Sequence, residues 1–581
     1  MTLSNRRLML TGVVASIAGL AGVATAQPFI GDITRWTDQD ALDPYEPGAV
    51  VFIGSSSIRR WEQLTRDFPE YRIIQRGFGG AQFEHVNQYV DDIVLPYQPS
   101  AIVIWAGTND LSTGETAAEV FGDYQTFVGL VLGAQPNVDI FYLGVTPTTA
   151  NGPTTAERDA FNALVEAESA GNPRLHYVDL PTPFYALNPP SGPDFQALYV
   201  DAIHLNRAGY DLWTTILRPQ FTAEVAPNKS TDVNPDTLAL GERLLFDFGP
   251  SNPEDGDPTP SPDANGNHWN NWHPAEGSNS TTNPAINAGE HIGDLVDTTG
   301  RETGIGLEIT GGFLSNGKVN GGLLSPSAQN LGDLAIATAT QDYFFFTADG
   351  LVGGGNDDIP GGLMLTGLDP DRAYEIGLFA SRVSSQTRVT EFAVFGANSA
   401  TIELQTSGVD IGADGAYNGN DSTVARVTVI RPNEFGEIFI DGTLVQGDFA
   451  YLALLELKVV GLSVAASPEE TIVEAGGTIT MDADVEGADA PFLRWHRDGE
   501  PLFDSSRVSG ATTETLTISP AGGGDAGVYT LVATDGTDTV ETDGAIAAVR
   551  ASAVGPADIN NDGTIDVLDV LDIINAVDAA P

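Results

Sequence analysis

Four short segments in the first part of the chain carry the residue types that nucleophilic catalysis needs. Residues 54–58 read Gly-Ser-Ser-Ser-Ile directly after an apolar run, and residues 76–80 read Arg-Gly-Phe-Gly-Gly after the next run. Residues 107–110 read Gly-Thr-Asn-Asp after a third run, and residues 201–206 read Asp-Ala-Ile-His-Leu-Asn before a helical pattern. A small-residue turn after a buried strand is where α/β folds present a nucleophile. We therefore expect the four segments to converge on one face of the domain.

The apolar runs that precede these segments predict buried strands alternating with helices. Strands are expected at residues 50–53, 71–74, 101–105, 140–143 and 175–178, and helices near 83–95, 115–133 and 154–170. This alternation is typical of a parallel sheet that helices cover on both faces. The fold class predicted for residues 27–225 is a three-layer α/β domain.

In order and spacing, the four segments resemble the SGNH (GDSL-type) hydrolases. The resemblance implies a flavodoxin-like fold and hydrolysis of ester bonds, without a metal or other cofactor for catalysis. It makes Ser56 the nucleophile, in the first segment. The oxyanion donors implied are the backbone N–H groups of Ser56 and Gly80 and the side-chain amide of Asn109. The last segment supplies Asp201 and His204.

The residue types agree with the chemistry of a catalytic triad. A serine hydroxyl needs a base to take its proton, and His204 would be that base. Asp201 would hold the imidazole in the correct tautomer. The family has Asp where this chain has Ser55, and three consecutive serines leave Ser55 and Ser57 open as alternative nucleophiles. The competing interpretation is that Asp201 only caps a helix and His204 lies on the surface, which the joint presence of the other segments disfavours.

The first 26 residues are typical of a secretory signal peptide. Arg6 and Arg7 precede an apolar run at residues 8–23, which ends in Ala-Thr-Ala at 24–26. A membrane anchor is the alternative, but the run is short for a bilayer span. We expect a secreted protein, extracellular or periplasmic, with no membrane span.

The composition of the chain excludes several classes of function. The chain has 581 residues, and 79 acidic against 26 basic residues give a formal net charge of −53. Such a charge repels nucleic acid, so a nucleic-acid partner is excluded. Cysteine is absent, which removes disulfides and cysteine nucleophiles.

The chain after residue 225 predicts β-rich units. Residues 226–240 are polar and indicate a linker, and residues 241–461 carry short β-type runs dense in glycine and asparagine, which favour a β-sandwich. Trp269 and Trp272 lie among polar side chains at 268–273. They could bind carbohydrate by stacking, or fill the core of the sandwich, which burial statistics favour.

Residues 463–551 resemble an immunoglobulin-like (Ig-like) domain. Trp495 follows a predicted strand, and Tyr529 lies where that fold has its tyrosine corner. Ala483 and Leu531 occupy the positions of the usual cysteines, so apolar packing is expected to replace the disulfide.

The last segment, residues 556–581, resembles one repeat of a dockerin. Oxygen ligands follow the spacing of a calcium loop, with Gly563 at the sharp turn. The predicted Ca²⁺ ligands are Asp558, Asn560, Asp562, Thr564, Asp566 and Asp569. A dockerin has two repeats and only one is evident, which weakens the case for a cohesin partner. An acidic solvated tail is the alternative.

The function expected from these features is that of a secreted serine hydrolase acting on carboxylic esters. The substrate expected is an acylated carbohydrate or another small ester, with acetyl the predicted acyl group. The loops at 147–153 and 181–193 are rich in Pro, Thr and Gly and have few large apolar residues to bind a long acyl chain. The alternatives are a lipase, lysophospholipase or thioesterase of the same fold, and a non-catalytic carbohydrate-adhesion protein.

Overall fold

The structure, a computed structural model, describes twelve stretches of the chain. They are residues 27–148, 155–187, 193–231, 233, 236–252, 254–273, 286–347, 361–461, 463–467, 470–486, 491–534 and 539–550. The predicted signal peptide at 1–26 and the predicted calcium loop within 556–581 lie outside the described residues, as do parts of the loops 147–153 and 181–193. Within the described stretches, no helix combines the length and the apolar character needed to cross a bilayer.

A five-stranded parallel sheet forms the centre of the first unit, residues 27–225. Its strands are β1 (Val50–Gly54), β2 (Ile73–Gly77), β3 (Ala101–Trp105), β4 (Asp139–Leu143) and β5 (Leu175–Val178). Their order in the sheet is β2-β1-β3-β4-β5. Every residue of β1, β2 and β3 is buried, as the near-continuous apolar runs predict for strands covered on both faces. The expected α/β fold with a parallel sheet is confirmed.

Helices cover both faces of this sheet. They are α1 (Ile30–Leu42), α2 (Ser56–Arg59), α3 (Leu64–Asp67), α4 (Phe83–Ile93), α5 (Thr108–Thr113), α6 (Ala117–Ala134), α7 (Thr155–Ser169), α8 (Pro181–Ala186), α9 (Pro193–Gln196) and α10 (Arg207–Glu224). One core lies between the sheet and α1, α4, α6 and α7. The other lies between the sheet and α3, α8, α9 and α10.

Strand β2 differs from its predicted position. The apolar run at 71–74 suggested a strand there, whereas β2 begins at Ile73 and continues to Gly77. Tyr71 instead packs in the core before the strand, and its hydroxyl donates to the Val225 carbonyl at 2.8 Å. The strand extends through the polar Arg76, which is fully buried because Tyr97, Asp40 and a backbone carbonyl accept from its guanidinium.

The second unit, residues 236–461, is β-rich, as expected. Its strands are β6 (Arg243–Phe248), β7 (Asn270–Trp272), β8 (His291–Ile292), β9 (Gly306–Gly311), β10 (Leu314–Asn316), β11 (Tyr343–Thr347), β12 (Gly362–Thr366), β13 (Ala373–Phe379), β14 (Arg388–Phe395), β15 (Ser399–Ser407), β16 (Ala425–Ile430), β17 (Ile438–Gln446), β18 (Phe449–Leu452) and β19 (Leu454–Val460). Two short helices, α11 (Ala328–Leu331) and α12 (Ala337–Thr340), interrupt them.

These strands form three sheets around one large apolar core. The orders are β10-β11-β18, β15-β14-β17-β12-β9-β8 and β16-β13-β19-β6-β7. Trp269 and Trp272 are 2% and 6% exposed, and the Trp269 indole N–H donates to Asp263 Oδ2 at 2.8 Å. Both indoles therefore fill the interior, and they offer no exposed face on which a sugar could stack.

The third unit, residues 463–550, has the two sheets of an Ig-like sandwich. Its strands are β20 (Ser463–Ser467), β21 (Glu470–Glu474), β22 (Ile479–Glu486), β23 (Phe492–Arg497), β24 (Glu500–Pro501), β25 (Val508–Ser509), β26 (Thr515–Ile518), β27 (Gly527–Thr534), β28 (Thr539–Glu541) and β29 (Ala545–Arg550). Trp495, Ala483 and Leu531 belong to one apolar core, so apolar residues occupy the place of a disulfide. The Tyr529 hydroxyl donates to the Asp525 carbonyl at 2.6 Å and makes the expected tyrosine corner.

The second unit packs against the first. Arg66 Nη2 lies 2.6 Å from Asp441 Oδ2, and its guanidinium stacks on the Phe395 ring. Lys229, in the predicted linker, pairs with Glu437 at 2.6 Å. The described part of the segment 226–240 is therefore bound to its neighbours, and it holds the sandwich beside the α/β unit.

Candidate active site

The serine turn begins at the end of β1, where only glycine fits. Gly54 has φ +148°, and a methyl group on it would stand 2.0 Å from the Trp105 carbonyl oxygen. The chain then turns directly into α2, with Ser55 before the helix and Ser56 as its first residue. Since the first N–H groups of a helix have no intrahelical acceptor, the Ser56 N–H is free to donate to a ligand.

The structure distinguishes the three consecutive serines. Ser55 and Ser57 are 1% and 2% exposed, whereas Ser56 is half-buried. Ser56 Oγ lies 2.9 Å from His204 Nε2. Geometry and access both favour Ser56 over its two neighbours as the nucleophile.

A tight turn before α10 holds the histidine and the aspartate. His204 Nδ1 lies 2.6 Å from Asp201 Oδ2. The other carboxylate oxygen accepts the backbone N–H groups of Ile203 and His204, each at 2.6 Å. Because an ionised carboxylate only accepts hydrogen bonds, Nδ1 carries the imidazole proton and Nε2 can accept from the Ser56 hydroxyl. The structure thus brings Ser56 next to the Asp201–His204 pair, although His204 lies 148 positions after Ser56 in the chain.

The charge states favour a neutral base beside an ionised aspartate. Burial raises the pKa of Asp201, but the hydrogen bonds from the His204 ring and from two backbone N–H groups outweigh it, so the net pKa lies below its ordinary value. Burial lowers the pKa of His204, and the charge of Arg60 lowers it further, against the opposing effect of Asp201. At neutral pH the imidazole is therefore unprotonated and ready to accept a proton.

Arg60 is the site residue that the sequence analysis missed. It is 8% exposed, and its Nη1 lies 3.4 Å from Asp201 Oδ2. The signal was present in the sequence, because Arg60 follows Ser56 by four residues and such spacing places two side chains on the same side of a helical turn.

The expected oxyanion donors lie after β1, β2 and β3, which are neighbours at the same edge of the sheet. Gly80 follows β2 with φ +84°, and no atom of the described residues lies within 4 Å of where its Cβ would be. Asn109 follows β3 and uses one N–H of its amide to donate to the Ala81 carbonyl at 2.9 Å. The second N–H of that amide is available to a ligand.

Asp110 anchors these two segments to each other. It is fully buried, and its Oδ1 accepts the Phe83 N–H at 2.7 Å, which ties the turn after β3 to the start of α4. Burial raises the pKa of Asp110 to about 6, although the backbone donors oppose the shift. Asp110 has a positioning role.

Two other histidines of this unit have structural roles. His85 Nδ1 accepts the Gln82 N–H at 3.0 Å at the start of α4. His176 lies 2.9 Å from Asp139 and stacks on the Phe141 ring.

A cavity of about 330 Å³ lies next to the triad, between the first two units. Arg60, Leu205 and Tyr210 line it from the α/β unit, and Phe346 and Leu444 from the sandwich. Leu205 adjoins His204 in sequence, so the sandwich lines a cavity beside the catalytic turn. The sequence analysis, which treated the units as separate, gave no sign of this cavity.

Two parts of the chain are similar to known proteins. Residues 15–212 match the GDSL-like Lipase/Acylhydrolase family, and residues 462–546 match the Immunoglobulin I-set domain. The platelet-activating factor acetylhydrolase IB subunit alpha1 from Bos taurus is 31% identical over 169 residues, which cover 28% of this chain and 69% of the bovine protein. The human subunit gives the same identity, with 28% of this chain and 70% of the human protein covered. A GDSL-like lipase from Bacteroides thetaiotaomicron is 19% identical and covers 33% of this chain and 98% of that one, with a TM-score of 0.28.

Replacing the Ser56 hydroxyl should remove activity without affecting the fold. We expect Ser56→Ala to lower kcat for a p-nitrophenyl acetate substrate by about 10⁴-fold or more, because it removes the attacking oxygen. The matched variants Ser55→Ala and Ser57→Ala should keep activity within about tenfold of the parent, since both lie away from His204. Circular dichroism checks that each variant folds. An active Ser56→Ala together with an inactive neighbour variant would assign the nucleophile to that neighbour.

Arg60 should influence how far activity extends to low pH. The rate falls on the acid side as His204 becomes protonated, so a lowered His204 pKa extends activity to lower pH. Arg60→Gln removes a positive charge that disfavours the imidazolium, and the acid limb of the kcat/KM profile should move to higher pH. Arg174→Gln is the control, because Arg174 is a surface residue that pairs with Asp139. An acid limb that stays in place or moves to lower pH in Arg60→Gln would contradict this role.

Proposed function

Because this chain belongs to the GDSL-like lipase/acylhydrolase family, we propose that it is a secreted serine esterase that removes short acyl groups, above all acetyl, from polysaccharides. The observation that carries the esterase part is the 2.9 Å contact between Ser56 Oγ and His204 Nε2. That contact places a nucleophile and its base within hydrogen-bond distance, and Asp201 orients the base.

Acylation begins when Ser56 Oγ attacks the carbonyl carbon of the ester. Its proton passes to His204 Nε2, and the imidazolium that forms is stabilised by the Asp201 carboxylate 2.6 Å away. The tetrahedral intermediate carries a negative oxygen, to which Ser56 N–H, Gly80 N–H and the free Asn109 N–H donate. Each such donor typically contributes about 100- to 1000-fold to turnover.

Acylation is complete when His204 gives its proton to the leaving alcohol as the carbon–oxygen bond of the ester breaks, which leaves the acyl group on Ser56. In deacylation, His204 acts first as a base and then as an acid. It takes a proton from water, whose oxygen attacks the acyl carbon, and returns the proton to Ser56 Oγ as the acid departs.

Two observations support a short acyl group. The bovine and human relatives are acetylhydrolases by name. The described part of the loop 181–193 includes the short helix α8 and the first residue of α9, and the buried Phe184 and Phe195 of these helices pack into the core on one face of the sheet. Side chains that pack inward do not form an open groove for a long acyl chain, for which each buried methylene contributes about 0.8 kcal/mol.

The neighbouring sandwich supports a polymeric substrate. It lines the cavity beside the catalytic turn, where exposed Thr443 and the edge of Leu444 face the α/β unit. The net charge of −53 disfavours anionic lipid surfaces, and an Ig-like unit is common in extracellular proteins. An uncharged polysaccharide is compatible with both the acidic net charge and the Ig-like unit.

We further propose that the segment 558–569 binds Ca²⁺ through the six residues with calcium-loop spacing, Asp558, Asn560, Asp562, Thr564, Asp566 and Asp569. The double variant Asp558→Ala/Asp562→Ala removes two of these ligands and should abolish this binding.

Acyl-chain preference tests the substrate proposal. With p-nitrophenyl esters of two to twelve carbons, we expect kcat/KM to be highest for acetyl and to decrease for octanoyl. The full-length protein should also release acetate from acetylated xylan, measured by ion chromatography. Thr443→Trp, which fills the cavity, should slow acetate release from xylan several-fold while leaving p-nitrophenyl acetate hydrolysis unchanged. Thr401→Trp, on an exposed strand position, is the matched control.

Three results would count against this substrate. Maximal activity at eight or more carbons without acetate release from xylan would assign the protein to the lipases. Acetate release from platelet-activating factor but not from xylan would favour the substrate named for the mammalian relatives. An equal loss of acetate release from xylan in Thr401→Trp and Thr443→Trp would show that the cavity does not bind the polymer.

A further inference from the structure

Three side chains of types that can bind a metal ion meet inside the second unit, outside the catalytic site. Asp247 lies on β6, His273 directly follows β7, and Asp342 directly precedes β11. One ligand atom from each residue lies within 4.8 Å of the other two. His273 Nε2 is 3.1 Å from Asp247 Oδ2, and His273 Nδ1 is 3.9 Å from Asp342 Oδ2.

The two carboxylates are buried without the partners that such groups need. Asp247 and Asp342 are both 0% exposed, and the His273 side chain is 3% exposed. Within the described residues, neither carboxylate oxygen of Asp342 has a hydrogen-bond partner. Asp247 Oδ2 accepts the Thr259 N–H at 2.8 Å, whereas Asp247 Oδ1 has no partner there. Burying unpaired carboxylates is costly in free energy, and either protonation or a bound cation removes that cost.

The imidazole is oriented as a metal ligand would be. His273 Nδ1 lies 3.0 Å from the Pro250 carbonyl oxygen, which can only accept, so Nδ1 carries a proton. Nε2 faces Asp247 Oδ2 at 3.1 Å, and either a proton or a cation between these two atoms would join them. Histidines that bind metals commonly donate their other N–H to a carbonyl, as His273 does here.

Backbone packs closely around the third ligand. A methyl group on Gly256 would lie 1.7 Å from Asp342 Oδ2, and one on Gly249 would lie 2.4 Å from Asp342 Cγ. Both positions therefore require glycine. The carboxylate is enclosed by backbone in a cradle that excludes larger side chains and any Lys or Arg approaching from that side.

We propose that Asp247, His273 and Asp342 bind a structural Zn²⁺ ion. One imidazole and two carboxylates suit zinc, whereas Ca²⁺ takes six to eight oxygen ligands and rarely an imidazole. Two zinc ligands at about 2.0–2.1 Å in a tetrahedral arrangement lie about 3.4 Å apart, close to the 3.1 Å between Nε2 and Oδ2. The ion would connect β6 and β7 of the five-stranded sheet to β11 of the three-stranded sheet.

Metal content and thermal stability test the site in the full-length protein. The Asp558→Ala/Asp562→Ala background removes the predicted calcium loop, and any affinity tag is cleaved off. After chelation, dialysis and incubation with Zn²⁺ alone, mass spectrometry of the metal should find about one zinc per chain. Calorimetry should show the Tm of the sandwich transition raised by about 5 °C or more. Co²⁺ in place of Zn²⁺ should give the visible absorption of a tetrahedral site.

Two variants separate ligation from nearby charge. Asp342→Asn should lose the ion and the zinc-dependent rise in Tm, and Asp247→Asn should do the same if Asp342→Asn does not fold. Asp257→Asn is the matched control, because Asp257 is an exposed carboxylate that pairs with Lys318 at 3.3 Å. It should keep one zinc per chain.

Either of two results would overturn the proposal. One is the absence of bound zinc and of a tetrahedral Co²⁺ spectrum in the folded parent protein, which would leave the cluster as a buried network held by shared protons. The other is stoichiometric Ca²⁺ that persists in the background variant and disappears in Asp342→Asn, with no zinc bound.

Discussion

Close contact between the ends of three parallel strands is the constraint on which the site depends. The Ser55 N–H donates to the Trp105 carbonyl at 3.1 Å, and the Phe78 N–H donates to the Gly54 carbonyl at 3.0 Å. These backbone bonds tie the ends of β1, β2 and β3 together just before each chain turns. Because glycine alone fits at residue 54, the turn into α2 begins at once and presents Ser56 at the sheet edge. The residues proposed as the other oxyanion donors, Gly80 and Asn109, follow the neighbouring strands β2 and β3.

In the triad, Asp201 and His204 have different charge states. Asp201 accepts three hydrogen bonds from its own turn and remains ionised, whereas His204 is buried beside Arg60 and remains neutral. The positive charge of Arg60 therefore opposes premature protonation of the base while it stabilises the aspartate that orients it. In the proposed mechanism the imidazolium forms only during turnover, and Asp201 is in place to stabilise it.

Local sequence was enough to predict the α/β fold and the set of residues that meet at its edge. The strands are continuous apolar runs, and each site residue belongs to a short segment directly after a strand or before a helix. The limit of β2 was mispredicted, because Arg76 is polar by type and buried only through partners that lie far along the chain. The pattern of apolar residues alone does not predict such partners.

Features built from residues distant in sequence could not be predicted for the same reason. The cavity beside the triad joins Leu205 to Leu444, and the buried cluster joins Asp247, His273 and Asp342. Neither set has a spacing that any local motif would reveal. The burial of Trp269 and Trp272, by contrast, follows from the general tendency of large indoles in a sandwich to fill its core. The predicted calcium loop lies outside the described residues and rests on sequence spacing.

Covalent trapping of the nucleophile tests the central claim most directly. A fluorophosphonate reacts with an activated serine, and mass spectrometry of the digested protein locates the adduct. The account predicts one adduct per chain, on Ser56, which forms in the parent protein and fails to form at a measurable rate in His204→Gln. An adduct on Ser55 or Ser57, or equal labelling of Ser56 with and without His204, would contradict it.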